Sequence, residues 1–141
     1  MIHYVDASVL VAALTSERRT LDMQRWLATA VPGDIAISDW THTEVAAALS
    51  IKVRIGTISE REQAISLDKF GDWMTDQFTV LPVRRANFRL AAQFARRATT
   101  GLRAGDALHL AISHDAGLSM ATLDVGLAKA SAELGIAAQL L

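Results

Sequence analysis

The sequence contains no cysteine. Disulfide bonds, thiol catalysis and cysteine-bound zinc are therefore excluded, and we expect a cytoplasmic protein. Long apolar segments are also missing, because the longest stretch without Asp, Glu, Lys or Arg is Ala7–Ser16. That stretch is far shorter than the roughly 18 residues that a membrane helix needs. Asp6 interrupts the first apolar run almost at once, so the pattern of a signal peptide is missing and no membrane association is expected.

An excess of basic charge is absent as well. The chain has 14 Lys and Arg against 15 Asp and Glu, with a net charge of −1. A protein that coats nucleic acid through bulk electrostatics typically has a pI above about 9, so that class is disfavoured, although local basic patches remain compatible with the composition. With 141 residues, 51% of them hydrophobic, and with no repeat or low-complexity tract, residues 1–141 are predicted to form one domain.

Short apolar segments alternate with helical patterns along the chain. The predicted strands are Ile2–Val5, Ile35–Ile37, Thr79–Val83, Leu118–Ala121 and Ile136–Gln139. The predicted helices are Ala7–Leu14, Leu21–Ala30, Trp40–Ile55, a segment from the Ser59–Glu62 capping box to about Asp76, Arg85–Ala98, Ala107–Ala116 and Val125–Glu133, with a turn over Gly101–Gly105. This order predicts an α/β fold, with a short parallel sheet of four to five strands flanked by about seven helices.

Four acidic residues lie where such a fold would place a functional site. Asp6 and Asp124 follow predicted strands, Asp106 begins a predicted helix, and Glu44 lies early in another. Ligands of parallel sheets bind beyond the carboxyl ends of the strands. Two carboxylates 4 Å apart repel by about 4 kcal/mol at an effective dielectric constant near 20. A cluster of four therefore predicts a hard cation such as Mg²⁺ or Mn²⁺, for which oxygen ligands are suited.

Each acid also has a purely structural interpretation. Asp is a favoured N-cap, and Asp6, Asp106 and Asp124 all precede predicted helical segments. Glu44 closes the pattern Thr41-His42-Thr43-Glu44, which resembles a capping box. However, Glu44 shares a helical stripe with apolar residues and needs a partner on that side. His109, in an apolar helix near Asp106, is interpreted as a structural histidine bonded to a neighbour rather than as a metal ligand. The residues alone leave both interpretations of the acids open.

Four segments, taken in order, resemble the motifs of PIN-domain proteins. They are Tyr4-Val5-Asp6-Ala7-Ser8-Val9-Leu10, Ser38-Asp39-Trp40-Thr41-His42-Thr43-Glu44-Val45, Leu102-Arg103-Ala104-Gly105-Asp106-Ala107-Leu108-His109 and Thr122-Leu123-Asp124. Each motif is weak by itself, but the ordered set spans nearly the whole chain. The length and the spacing are most similar to the VapC toxins of bacterial toxin–antitoxin pairs.

The resemblance implies a PIN-like three-layer fold and a Mg²⁺- or Mn²⁺-dependent endoribonuclease. By the family pattern, Asp6, Glu44, Asp106 and Asp124 would hold the metal, while Ser8 and Thr122 would orient the carboxylates or the metal-bound water. That water would attack the phosphate in line and leave a 5′-phosphate and a 3′-hydroxyl. The family also implies a homodimer that a small cognate antitoxin silences.

Two further residues bear on the expected site, one next to the fourth motif and one within the third. Val125 follows Asp124 where many relatives carry a polar residue, so Asp124 is the least supported ligand. Arg103 precedes Asp106 by three residues and is a candidate RNA contact.

Two other functions remain compatible with the sequence. One is a PIN-like module that has lost catalysis and only binds protein. The other is a receiver-type domain that binds Mg²⁺ and accepts a phosphoryl group on Asp. A receiver usually has an acidic pair after its first strand, whereas Asp6 stands alone, and the late Lys129 lies within a predicted helix.

Overall fold

The computed structural model describes residues 3–141, which form five strands and seven α-helices. In chain order the elements are β1 His3–Val5, α1 Ala7–Leu14, α2 Thr20–Ala28, β2 Ile35–Ser38, α3 Asp39–Arg54, α4 Glu60–Asp76, β3 Phe78–Leu81, α5 Arg85–Ala95, α6 Ala104–Asp115, β4 Ser119–Thr122, α7 Val125–Leu134 and β5 Ala138–Leu140, with a 3₁₀ turn at Ala98–Thr100 between α5 and α6. The predicted α/β class and the numbers of strands and helices are confirmed. Ile2, the first residue of the first predicted strand, lies outside the described residues.

All neighbouring strands are parallel, and their order in the sheet is β3-β2-β1-β4-β5. The chain moves outward from β1 to one edge, and β4 then returns to the other side of β1. The two crossover directions therefore diverge beside β1, and such a divergence opens a crevice at the carboxyl end of a parallel sheet. Asp6 directly follows β1 at this point.

Successive side chains of each strand face opposite sides of the sheet, and each side has its own apolar core. Val5 and Ile37 pack with buried residues of α1, α3 and α4 on one side. Tyr4, Ala36 and Met120 pack with residues of α5, α6 and α7 on the other. The two cores and the sheet between them produce the three-layer arrangement that was predicted.

Helix boundaries follow the capping chemistry of the sequence. The predicted capping box is confirmed at α4, where Ser59 Oγ accepts from the Glu62 amide and Glu62 Oε1 accepts from the Ser59 amide. The prediction for α6 is wrong at its start, because the helix begins at Ala104 and takes in Gly105. Helix α5 is also shorter than predicted, since it ends at Ala95 and the chain continues into the 3₁₀ turn. No helix within residues 3–141 combines the length and the apolar character needed to span a membrane.

Candidate active site

Asp6 lies at the carboxyl end of the central strand and is only 4% exposed. Its Oδ1 accepts from the Ser8 amide at 3.2 Å and from Ser8 Oγ at 2.5 Å, while its Oδ2 accepts from Thr122 Oγ1 at 2.6 Å. Burial raises the pKa of Asp6, and the hydrogen bonds from Ser8 and Thr122 oppose that effect. Asp6 thus caps α1, and both of its oxygens are fixed by side chains from two different elements.

Glu44 projects from the second turn of α3 towards α6. Its Oε2 lies 2.5 Å from Nε2 of His109, whose side chain is fully buried. The other ring nitrogen, Nδ1, lies 2.7 Å from the hydroxyl of Tyr4, which is also fully buried. Burial raises the pKa of Tyr4 well above its ordinary value, so the phenol stays protonated. The partner that Glu44 needs on its core side is therefore His109.

Asp106 lies in the first turn of α6, three residues after Arg103. Burial raises the pKa of its carboxyl, and the negative charges of Asp124 and Glu44 raise it further. His109 acts in the opposite direction, and Asp6 adds a smaller increase. The charges of the other three acids thus all act on the carboxyl of Asp106.

Asp124 follows β4 and caps α7, with Oδ1 accepting from the Leu127 amide at 3.0 Å. Its own amide donates to Thr122 Oγ1 at 3.0 Å, so Thr122 links Asp124 to Asp6. Asp124 and Asp106 line a polar cavity of about 320 Å³ together with Arg103. The cavity lies between the start of α6 and the start of α7.

The four acids share one edge of the sheet but do not form a closed coordination shell. Within residues 3–141, no three His, Asp or Glu side chains are grouped tightly enough to hold one metal ion between them. Three of the carboxylates are held by protein donors: Asp6 by two hydroxyls, Glu44 by an imidazole and Asp124 by an amide. The atoms available to bind a metal are all carboxylate oxygens, and the charges of the other three acids raise the pKa of Asp106. Such a set of oxygen ligands fits a hard divalent cation.

The sequence matches a known protein family over most of its length. The PIN domain family matches residues 3–133, which is nearly the whole chain. The chain belongs to the PIN domain family. A comparison with curated protein sequences gives no match.

Solved structures show the same fold for this PIN domain. FitAcB from Neisseria gonorrhoeae is 18% identical, with a TM-score of 0.75 over 97% of this chain and 96% of that one. The Mycobacterium tuberculosis VapC20 structure, described as a sarcin–ricin loop cleaving toxin, is 14% identical, with a TM-score of 0.70 over 92% and 94%. A toxin–antitoxin complex from Klebsiella pneumoniae is 19% identical, with a TM-score of 0.57 over 86% of each chain.

Two structural interpretations of the acids in this PIN domain are wrong. Asp106 is not an N-cap, because α6 begins two residues earlier with Arg103 as its cap. The capping box of α3 is made by Ser38 and Thr41 instead of Thr41 and Glu44. The cap interpretation does hold for Asp6 and Asp124, which both accept from amides of the following helix. His109 is indeed bonded to a neighbour, as expected.

Two residues that shape the site were not predicted from the sequence. Tyr4 was assigned to a strand and to a motif without a role for its hydroxyl, which contacts His109, Ser38 and Thr41. Gly105 was placed in a turn, yet it lies beside Glu44. The signal that could have revealed Gly105 is the presence of a glycine directly before a predicted site residue.

Proposed function

We propose that this PIN domain is a Mg²⁺- or Mn²⁺-dependent endoribonuclease that acts as the toxin of a toxin–antitoxin pair. The observation that carries the proposal is the crowding at Asp106, whose pKa is raised by burial and by three other acids at the carboxyl edge of the sheet. Like charges gathered in this way favour a divalent cation and disfavour an empty site at neutral pH. Two structures with the same fold, one of a sarcin–ricin loop cleaving toxin and one of a toxin–antitoxin complex, support this activity.

Each of the four acids has a role in this proposal. Asp6, Glu44, Asp106 and Asp124 would hold the metal, which supplies water activation and neutralises charge on the phosphate. Ser8 and Thr122 fix both oxygens of Asp6, and such supporting contacts tune affinity for the metal.

Arg103 would contribute to RNA binding. It lies on the wall of the cavity that Asp106 and Asp124 share, where its guanidinium would contact an RNA phosphate. Hydrolysis by water would leave a 5′-phosphate and a 3′-hydroxyl.

Two alternatives are less well supported by the geometry. In a receiver-type domain the acceptor Asp must be open to a phosphodonor, whereas Asp6 is 4% exposed and carries hydrogen bonds on both oxygens. Lys129, the late lysine, is exposed on α7. A protein-binding module without catalysis has no need for a cluster of four acids. Such a cluster destabilises the metal-free fold, because three of the acids raise the pKa of the fourth, Asp106.

Purified protein, freed of any antitoxin, is expected to cleave single-stranded or looped RNA with Mg²⁺ or Mn²⁺ and to stop with EDTA. Asp6→Asn and Asp106→Asn should each lower the cleavage rate by about 100-fold or more, because loss of a residue that only supports a metal ligand already costs about 10–100-fold. Asp68→Asn, the same change at an exposed position of α4, is the matched control and should cleave as the parent does. Cleavage by Asp106→Asn at the rate of the control would refute the metal mechanism, and phosphorylation of Asp6 by a phosphodonor would favour the receiver alternative.

The partners follow from the same proposal. We expect a homodimer and a small cognate antitoxin in the cytoplasm. Exposed apolar side chains that a protein partner could cover are Leu21, Ile55 and Ile65 around α2–α4 and Phe88 on α5. Light scattering of the isolated chain tests the dimer. Co-expression with the product of the adjacent gene tests the antitoxin, which should co-purify and suppress RNA cleavage.

A further inference from the structure

Glu44 is restrained at both of its carboxylate oxygens, although it lies on a long and flexible side chain. Oε2 is bonded to His109 Nε2 at 2.5 Å. Oε1 lies against Gly105, so close that a Cβ built on this glycine would stand 2.7 Å from it. Real Cβ atoms essentially never approach an oxygen so closely. The carboxylate therefore occupies a slot between two residues. His109 bonds one of its oxygens, and Gly105 leaves room for the other because it has no side chain.

The imidazole of His109, which bonds Glu44, is itself held in place by a contact at its other ring nitrogen. An ionised carboxylate has no proton to give, so Nε2 of His109 is the donor to Glu44. The Tyr4 hydroxyl lies at Nδ1, and it also contacts Ser38 Oγ at 2.8 Å and Thr41 Oγ1 at 3.3 Å. All four of these side chains are buried. A buried ring held at both nitrogens cannot rotate without leaving a polar group unpaired, which is costly.

The opposite wall of the slot is the first turn of α6. Gly105 has helical backbone geometry, so it is not needed for a left-handed conformation. Its carbonyl accepts from Trp40 Nε1 at 3.3 Å, and its missing Cβ would also lie 3.3 Å from Cζ2 of Trp40. The space above Gly105 is therefore already filled by Trp40 and by Oε1 of Glu44. Asp106, the next residue, is the acid whose pKa Glu44 raises.

We propose that His109 and Gly105 are positioning residues that set where the Glu44 carboxylate lies relative to Asp106, and thereby set the affinity of the site for divalent metal. His109 fixes Oε2, and Gly105 leaves Oε1 room beside the backbone of α6. The inference rests on the proposed function, since it assumes that Glu44 takes part in holding the metal. A competing account is that His109 is only a satisfied core histidine and that Gly105 is incidental.

Gly105→Ala separates the two accounts because it perturbs Glu44 with little cost to the fold. The atom that must move furthest, Glu44 Oε1, is the end of a side chain, and Trp40 Cζ2 at 3.3 Å needs to shift by only a few tenths of an ångström. Ala is also favoured over Gly in helices. We expect Mn²⁺ affinity, measured by calorimetric titration, to fall about tenfold, within the range for loss of a supporting contact, while the melting temperature without metal stays within a few degrees of the parent. Gly71→Ala is the matched control, since it lies within α4 with open space at its Cβ. It should bind Mn²⁺ as the parent does.

His109 is tested by a second set of variants. His109→Leu should weaken Mn²⁺ binding about tenfold and lower kcat while leaving KM for RNA within twofold, and His109→Gln, which retains a donor for Glu44, should recover part of both losses. His114→Leu, the same change at an exposed position of α6, should alter neither.

The outcomes separate this inference from the proposed function. Parent-like Mn²⁺ affinity in Gly105→Ala overturns the positioning roles even if the protein cleaves RNA and even if His109→Leu fails to fold. A parent that binds no Mn²⁺ overturns them as well. If the variants bind Mn²⁺ more weakly than the parent but the parent cleaves no RNA, the positioning roles are supported and only the proposed nuclease activity is refuted.

Discussion

Tyr4→Phe removes a single oxygen from the centre of the protein and leaves the ring in place. The hydroxyl lies within hydrogen-bonding distance of Ser38, Thr41 and His109, and all of these side chains are buried. Ser38 and Thr41 retain each other as partners after the change, through contacts of 3.1 to 3.4 Å. His109 Nδ1 has no such substitute and becomes a buried polar atom without a partner.

The expected loss follows from that one unpaired atom. Leaving a buried polar atom unsatisfied costs about 1–3 kcal/mol, so we expect the free energy of unfolding to fall by about 2 kcal/mol. A chain of this size has an entropy of unfolding of roughly 0.3 kcal/mol per kelvin at its melting temperature. The melting temperature should therefore fall by roughly 7 °C.

Thermal and urea unfolding followed by circular dichroism, in EDTA to remove metal effects, measure this loss. Ser131→Ala is the control, because it also removes one buried hydroxyl but one that bonds the carbonyl of Leu127 within the same helix. Its loss should be below about 1 kcal/mol, since no buried group is orphaned. If Tyr4→Phe were no more destabilising than Ser131→Ala, the view that the hydroxyl anchors His109 would be wrong.

Three further predictions concern charge. Asp106→Asn should raise the melting temperature in EDTA at pH 7, because a folded-state pKa above the ordinary 3.8 means that ionised Asp106 destabilises the fold. This gain in melting temperature should shrink as the pH is lowered towards 4. A gain that is constant with pH would contradict the argument. Asp124→Ala should cost about 1 kcal/mol in urea unfolding through loss of the cap on Leu127, whereas Asp124→Asn should cost little, and both should weaken Mn²⁺ binding if Asp124 is a ligand. Lys52→Met should cost less than about 1 kcal/mol, because its ion pair with Glu17 is partly exposed, and 1 M salt should remove most of the difference.

The fold was largely predictable because the helices and strands alternate and carry clear boundary signals. Ser59 and Glu62 marked the start of α4, and the apolar runs marked the strands to within one or two residues. The start of α6 could not be predicted from local propensity, since Gly105 disfavours a helix. Contacts of Gly105 with Trp40 and Glu44, from a helix 60 residues away, accompany its inclusion in the helix.

The candidate site was predictable in its residue types but not in its connections. The sequence places acids after strands and at helix starts, and parallel topology brings those positions to one edge. The partner of Glu44 could not be deduced, because pairing with His109 depends on how α3 and α6 pack against the sheet. Whether a residue such as Tyr4 bonds a neighbour or only fills space likewise depends on its distance from residues more than 30 positions away.

The central position of β1 has a consequence for synthesis of the chain. β1 precedes both of its partners in the chain, β2 and β4, and the second partner, β4, ends at Thr122. Asp6 and Asp124, the first and last of the four acids, are joined through Thr122. Contacts of such long sequence separation form late and slowly. The chain must therefore be synthesised through Asp124 before the edge that carries the acids can assemble, so a nascent chain that has not reached Asp124 lacks the site.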